Sequence, residues 1–412
     1  MVTAGRHARV GVYAAGAVSA FGTQMTMLAL PWLVLESTGS ATRTGLVFAV
    51  QVLPMAVLGF VGGSVLQHLG ARRTMLLGDL TRAPLVALVP LLHSAGLLEL
   101  WVLLGLVMLI GLCGVPYAAA QRVLTVTLIG GDDPRALTRA YGALDGIYNV
   151  AAVGGPAAAG ALIVMVGPTT VLWLDAASYL VSFLVLLLLV PRSAASATAP
   201  ADQRGPLSGL RFLRRDTFLG QAVISTVLFG FALRSLAVTL PVLAFLRFGQ
   251  DARTGGLLVA GSGAGALAGS LLTYLVATRI APAPLARVAM VLVAAPLWLL
   301  LLPTPPTVLI VAVAISSAAV TVSNAPFAAI ISRRVPEQLL PSVLQTVITI
   351  SNIAGPLGLL LTGVLIERAG IWASLALVAT IATVAATNAL FALVRLERNP
   401  TVPTPERALT HA

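Results

Sequence analysis

Few side chains inside the long apolar runs of this sequence can hold or move a charge: Asp79 with Arg82, Arg122, Asp145, Asp175 and Arg234, to which Gln24 and Asn352 add amides. An ionised group in lipid costs about 2.5–3.5 kcal/mol or more, so each is a candidate for binding, gating or proton transfer unless it pairs with a neighbour. Other chemistries lack their residues. His7, His68, His93 and His411 are scattered without ligand spacing, Cys113 is the single cysteine, and the absence of lysine leaves no P-loop lysine for a nucleotide. ATP hydrolysis and metal catalysis have no support, no cofactor is implied, and the chain reads as a non-enzyme.

The spacing of the charged residues sorts them. Asp79 and Arg82 lie three apart on one helix face, so a structural ion pair, or a gate latch with Arg72 or Arg73, is preferred over contact with a substrate. Asp175 falls two turns into its run, where the helix dipole would stabilise it, and a structural role is again preferred. Asp145, flanked by Gly142 and Gly146 and one turn before Asn149, has no evident local partner. It is the leading proton-coupling candidate, with a structural pair to Arg122 as the alternative. Arg234 is the only basic residue deep inside a run.

The elements holding these residues must be membrane helices. Of 412 residues, 58% are hydrophobic and 9% charged, against roughly 25% charged in soluble domains. Apolar runs predict twelve spans, near 10–35, 44–66, 74–94, 98–122, 140–166, 168–190, 217–246, 254–278, 288–303, 306–332, 340–366 and 370–394. The ninth is short and contains Pro296. The first runs on past Ala17-Val18-Ser19-Ala20, too long for a signal peptide, and reads as an uncleaved helix. Eighteen of the 25 basic residues fall in alternate loops that begin with the N-terminus, and four fall on the other face. The positive-inside rule therefore predicts both termini in the cytoplasm, and the net charge of +11 reflects loop asymmetry, not a nucleic-acid surface.

The chain repeats itself. At an offset of 210, Leu30-Pro31 falls on Leu240-Pro241, Gly39 on Gly249, Arg43-Thr44-Gly45 on Arg253-Thr254-Gly255, and Pro116-Tyr117-Ala118-Ala119 on Pro326-Phe327-Ala328-Ala329. At 203, Asn149, Gly160, Leu162 and Gly167 fall on Asn352, Gly363, Leu365 and Gly370. Ordered matches of Pro, Arg-Thr-Gly and Asn point to a duplicated unit. The division predicts a six-helix bundle over 1–190, a cytoplasmic linker over 191–216, a second bundle over 217–394 and a tail over 395–412. Two such halves rocking about a midplane site are the architecture of alternating access.

Several motifs resemble the major facilitator superfamily, in particular its branch of macrolide-efflux proteins and enterobactin-type exporters, over nearly the whole chain. They are Leu30-Pro31-Trp32-Leu33 with Thr38-Gly39-Ser40, the stretch from Gly63 to Arg73 followed by Gly78-Asp79-Leu80-Thr81-Arg82-Ala83, and Leu174-Asp175-Ala176-Ala177-Ser178-Tyr179. The family's loop pattern keeps Gly63, Gly70, Arg72 and Arg73 here, but Gln67 and His68 stand where Asp and Arg are usual. Gly142, Gly146, Gly155-Pro156 and Gly160 resemble the exporter motif of the fifth span, with Ala151 and Ala159 in place of two glycines. In the eighth span Gly261, Gly265 and Gly269 form a smooth face that could slide against the fifth; static close packing is the alternative. The resemblance implies that the first and seventh helices line a cavity, which makes Gln24 and Arg234 candidate substrate contacts, with Asn352 beside them. A structural role is the other reading for each.

These readings converge on an all-α polytopic membrane protein of twelve transmembrane helices in two pseudo-symmetric six-helix bundles. The expectation is a monomer of the inner or plasma membrane, surrounded by lipid, that exports a small, largely apolar organic compound in exchange for protons. That exchange is implied by kinship. Uptake of a small metabolite on the same fold is the alternative, and a non-transporting sensor or assembly partner would need a soluble domain larger than the 191–216 loop.

Overall fold

The computed structural model describes residues 2–58, 68–129, 134–191, 217–276, 282–335 and 340–398, and among them only helix is regular. Twelve α-helices follow one another: α1 Val2–Thr38, α2 Ala41–Leu58, α3 Ala71–Ser94, α4 Leu100–Ile129, α5 Pro134–Val166, α6 Pro168–Leu189, α7 Thr217–Arg247, α8 Ala252–Val276, α9 Pro282–Ala294, α10 Pro306–Arg334, α11 Leu340–Ala369 and α12 Ile371–Arg398. Among the described residues ten helical segments are long and apolar enough to cross a membrane, one of them formed by α9 together with the 3₁₀ turns that follow it. Only helices can do so with these sequences, because every backbone polar group in hydrocarbon must find its partner within the segment. Gly63 and Gln67 lie outside the described residues.

The short ninth span has a local cause. The α-helix α9 ends at Ala294 and the chain continues as a 3₁₀ helix over Ala295–Leu301, with Pro296 in its first turn. Proline lacks the N–H that the next α-helical bond needs, so the tighter winding takes over.

The repeat appears in the backbone. Gly39 after α1 and Gly249 after α7 both take a left-handed φ, 64° and 67°, and so do Gly167 before α6 and Gly370 before α12, at 81° and 83°. Each stands at a helix junction where an L side chain would be strained. Chain reversals at equivalent places in both halves thus use the same residue for the same reason.

The helices gather in two compact units, one of Met1–Pro200 with Leu240–Ala260 and one of Ala201–Thr239 with Gly261–Ala412. In the first, α1 packs on α2, α4, α5 and α6, and α3 packs on α4 and α6. Its core includes Val12, Met75, Tyr117, Leu124 and Leu186. In the second, α9 packs on α10 and α12, and α11 on α12, with Phe218, Leu219, Ala286, Val343 and Leu393 in the core.

Candidate functional site

The interior of the first unit carries a polar cluster built by four helices. On α6, Asp175, Ser178, Tyr179 and Ser182 recur at helical spacing and so share one face. Opposite them stand Ser19, Thr23 and Thr26 of α1, Asp79 and Arg82 of α3, and Tyr117 of α4. Asp79 and Asp175 are 0% exposed and Arg82 is 5% exposed, which takes all three charges out of contact with solvent.

Arg82 is the hub. Its Nη2 meets Asp79 Oδ1 at 2.7 Å and its Nε donates to Gly78 O at 3.0 Å. Its guanidinium lies between two rings, 4.1 Å from the Tyr117 centroid and 4.3 Å from that of Tyr179, where the aromatic faces favour a desolvated cation. Gly78 makes the room: a Cβ there would come within 3.2 Å of the Tyr117 ring. The second oxygen of Asp79 accepts from Ser182 Oγ at 2.6 Å. That uses the only proton of Ser182, so Tyr117 O–H is the donor in its 3.4 Å contact with Ser182 Oγ. The anticipated ion pair of Asp79 with Arg82 is thus present, while Arg72 is engaged elsewhere. Arg72 Nε and Nη2 donate to the carbonyls of Val190 and Leu187 at 2.6 and 3.1 Å, fastening the start of α3 to the end of α6. Gly70 begins α3 with φ 76°, and Arg73 is exposed.

Asp175 has different company. Oδ2 accepts from Thr26 Oγ1 at 2.6 Å, Ser178 Oγ shares its one proton between the Asp175 backbone carbonyl at 2.8 Å and Oδ1 at 3.1 Å, and no described cation forms an ion pair with the carboxylate. It lies beyond the first turn of α6, where the dipole acts, so hydroxyl donors take the role expected of the dipole. Gly22 lets α1 approach this closely, since a Cβ would collide with Ser178 Oγ and Asp175 Oδ1. One turn on, Thr23 Oγ1 donates to Ser19 O at 2.8 Å, so Tyr179 O–H supplies the proton in its 2.9 Å bond to Thr23. Nearby, Tyr148 of α5 donates to Gln121 Oε1 at 2.7 Å, while Gln121 Nε2 is buried without a partner.

The remaining sequence candidates are dispersed. Asp145 and Arg122 are both exposed and form no ion pair with each other, which removes the proposed structural pair. Gln24 is half-buried, and its backbone abuts Gly155, where a Cβ would sit 3.1 Å from Gln24 C. The face of Gly261, Gly265 and Gly269, expected against α5, packs on α10. It lies against Ile310, Ala314 and Ala318 of α10, and a Cβ on Gly265 or Gly269 would strike a carbonyl oxygen. The glycine that meets α5 is Gly256: a Cβ there would strike Pro156 O, and Gly160 lies beside it. A helix turns about 100° per residue, so the stripe five residues further along α8 points another way. In the second unit Arg234 is exposed, its stem beside Gly355. Asn352 lies in α11, and its side chain is outside the described residues. Sequence reasoning passed over Tyr117, Tyr179, Ser182 and Thr26, although the polar stripe at 175, 178, 179 and 182 and that at 19, 23 and 26 were visible signals.

A family model described as the Major Facilitator Superfamily matches residues 12–339 and 222–411. The chain belongs to the major facilitator superfamily. It is therefore a multi-pass membrane transporter, not an enzyme. This major facilitator is 25% identical over 373 residues to the multidrug efflux pump Tap of Mycobacterium tuberculosis, covering 88% of each chain. It is 27% identical over 365 residues to the Tap pump of Mycolicibacterium fortuitum, covering 86% of this chain and 88% of the relative. Among solved structures, the nucleoside transporter NupG superposes with a TM-score of 0.76 at 12% identity, covering 95% of this chain and 99% of that one. A bacterial homologue of the human lysosomal transporter Spinster gives 0.70 at 12%, over 95% and 96%. At such identities these two structures speak for the fold alone.

Proposed function

We propose that this major facilitator exports a small, largely apolar organic compound, a drug, antibiotic or siderophore-like metabolite, in exchange for protons. The carrying observation is the likeness to multidrug efflux pumps over 88% of the chain. The buried, hydroxyl-lined acid and ion pair of the first unit support proton exchange, because ionisable groups inside a membrane transporter mark ion and substrate pathways. In this reading six-helix bundles over 1–190 and 217–394, joined by 191–216, rock in turn to open each side. Gln24, Arg234 and Asn352 meet the cargo, while Gly63, Gly70, Arg72, Arg73, Asp79, Arg82, Gly155 and Pro156 shape or latch the moving helices. The transporter works as a monomer in the plasma membrane with both termini in the cytoplasm.

An accumulation assay across a compound panel, in cells with and without the gene, tests this. Lower accumulation in expressing cells, reversed by an uncoupler, is the expected result; higher accumulation would make the protein an uptake carrier. A reporter fused at residue 200 should be active only in its cytoplasmic form. Activity of a periplasm-dependent reporter there would overturn the orientation.

A further inference from the structure

The charges inside the first unit do not balance. Asp79 and Arg82 neutralise one another, whereas Asp175 meets two hydroxyls and no paired cation among the described residues. The charged groups that reach it come from α3, Arg82 attracting and Asp79 repelling. Its own helix adds the Tyr179 phenol and α1 faces it with Thr26 and Thr23, while from α5 Tyr148 acts on Asp79 and Arg82. A carboxyl group so placed has two stable arrangements. Ionised, it accepts from Thr26 and Ser178; neutral, it carries its own O–H and holds α1 less firmly.

A second feature lies on the same three helices. At the end of the unit away from Arg72, the ends of α1 and α3 and the start of α6 surround a hollow of about 420 Å³ whose wall includes Glu36, His93, Thr169 and Trp173. Glu36 and His93 lie ten and eleven residues along their helices from Thr26 and Arg82, so the titratable rim of the hollow sits on the order of 15 Å outward from the level of the buried carboxyl, which is not part of its wall. Asp145, by contrast, is exposed.

We propose that Asp175 carries the proton exchanged for cargo and that the Thr26 bond conveys its protonation state to α1. This rests on the proton-exchange reading above. A proton entering from outside adds to one Asp175 oxygen, and Thr26 Oγ1 then donates to a neutral carboxyl, a weaker bond than the charge-assisted one. It leaves to the cytoplasmic side in the opposite conformation, restoring the carboxylate. Because α1 also carries Gln24 and leans on Gly155, the change reaches a helix assigned to the cargo.

Infrared difference spectra of the purified full chain, recorded on stepping the pH, read the proton directly through the carbonyl stretch of a protonated carboxyl. Wild type should show a titrating band, lost in Asp175→Asn and kept in Asp145→Asn. Asparagine preserves the shape, accepting from Thr26 and donating to Ser178. Thr26→Val should move the titration to higher pH, since the ionised form loses a donor, whereas a merely structural hydroxyl would leave it unmoved. A band that survives Asp175→Asn, or no titrating band in wild type, overturns the proposal. In proteoliposomes, with the compound most strongly excluded by expressing cells, Asp175→Asn should lose uphill efflux while counterflow stays measurable. Wild-type efflux indifferent to the pH gradient would sink proton exchange itself; gradient-driven efflux by Asp175→Asn would sink only the assignment to this residue.

Discussion

The two halves of the chain share a backbone pattern, but the two compact units do not share an electrostatic one. Every buried charged side chain among the described residues, Arg72, Asp79, Arg82 and Asp175, belongs to the first unit. The second buries hydroxyls instead. Thr362 Oγ1 donates to Ser235 Oγ at 2.8 Å, Thr239 and Ser374 share a bond of 2.9 Å, and Asn388 Nδ2 donates to Gln221 O and Ser225 Oγ, both at 2.9 Å. Neutral hydroxyls satisfy one another at little desolvation cost. Ions do so only with close partners, and are then sensitive to every one of them. The duplicated halves have kept their turns and diverged inside, so the chemistry that responds to charge is concentrated in one of them.

Removing the hub should have the largest effect. Arg82→Leu strands Asp79 and empties the space between two tyrosine rings, and should lower stability by about 3–5 kcal/mol, read as lost monodisperse protein and a lower unfolding temperature in detergent. Arg234→Leu, at an exposed site of the second unit, should fold normally. Equal damage from the two would erase the contrast. Pairing Asp79→Asn with Arg82→Gln should recover part of the loss, since the two residues act as one unit.

Next comes Gly265→Leu. Its side chain would enter the backbone of α10, and overpacking of this kind costs roughly 1–3 kcal/mol or more. The folded yield should fall. A well-folded Gly265→Leu that fails only in transport would restore the sliding role and contradict the packing against Ala314.

Smaller effects sharpen the comparison. Ser182→Ala removes a donor to the charged Asp79 and should cost about 1.5–3 kcal/mol, whereas Thr362→Val removes a neutral bond and should cost about 1 kcal/mol. Thermal unfolding of both decides it, and the reverse order would mean that the Asp79 cluster is already neutral. Smallest and most alike should be Gly39→Ala and Gly249→Ala. Nothing lies within 4 Å of a Cβ at either position, so only the left-handed φ opposes the change, at about 1–2 kcal/mol. Unequal shifts at these two sites would argue against a shared turn.

Helix number, the repeat and the residues forced to be glycine at the junctions followed from local causes, and for that reason they were legible in the chain. Apolar length sets a span, Pro296 ends α9, and a positive φ selects Gly39, Gly167, Gly249 and Gly370. The Asp79 and Arg82 pair was legible too, being three residues apart on one helix. The partners of Asp175 were not, because Thr26 lies 149 positions away and only the packing of α1 on α6 across Gly22 joins them. Nor was the choice between α5 and α10 as neighbour of Gly265: a smooth stripe is equally suited to either surface, and the rotation of α8 between Gly256 and Gly261 settles it. The sequence determined which segments cross the membrane and which ionisable groups go with them. The tertiary structure alone decided which charges are neutralised and which one is left to hydroxyls, since pairing depends on distances between helices that spacing along the chain does not encode.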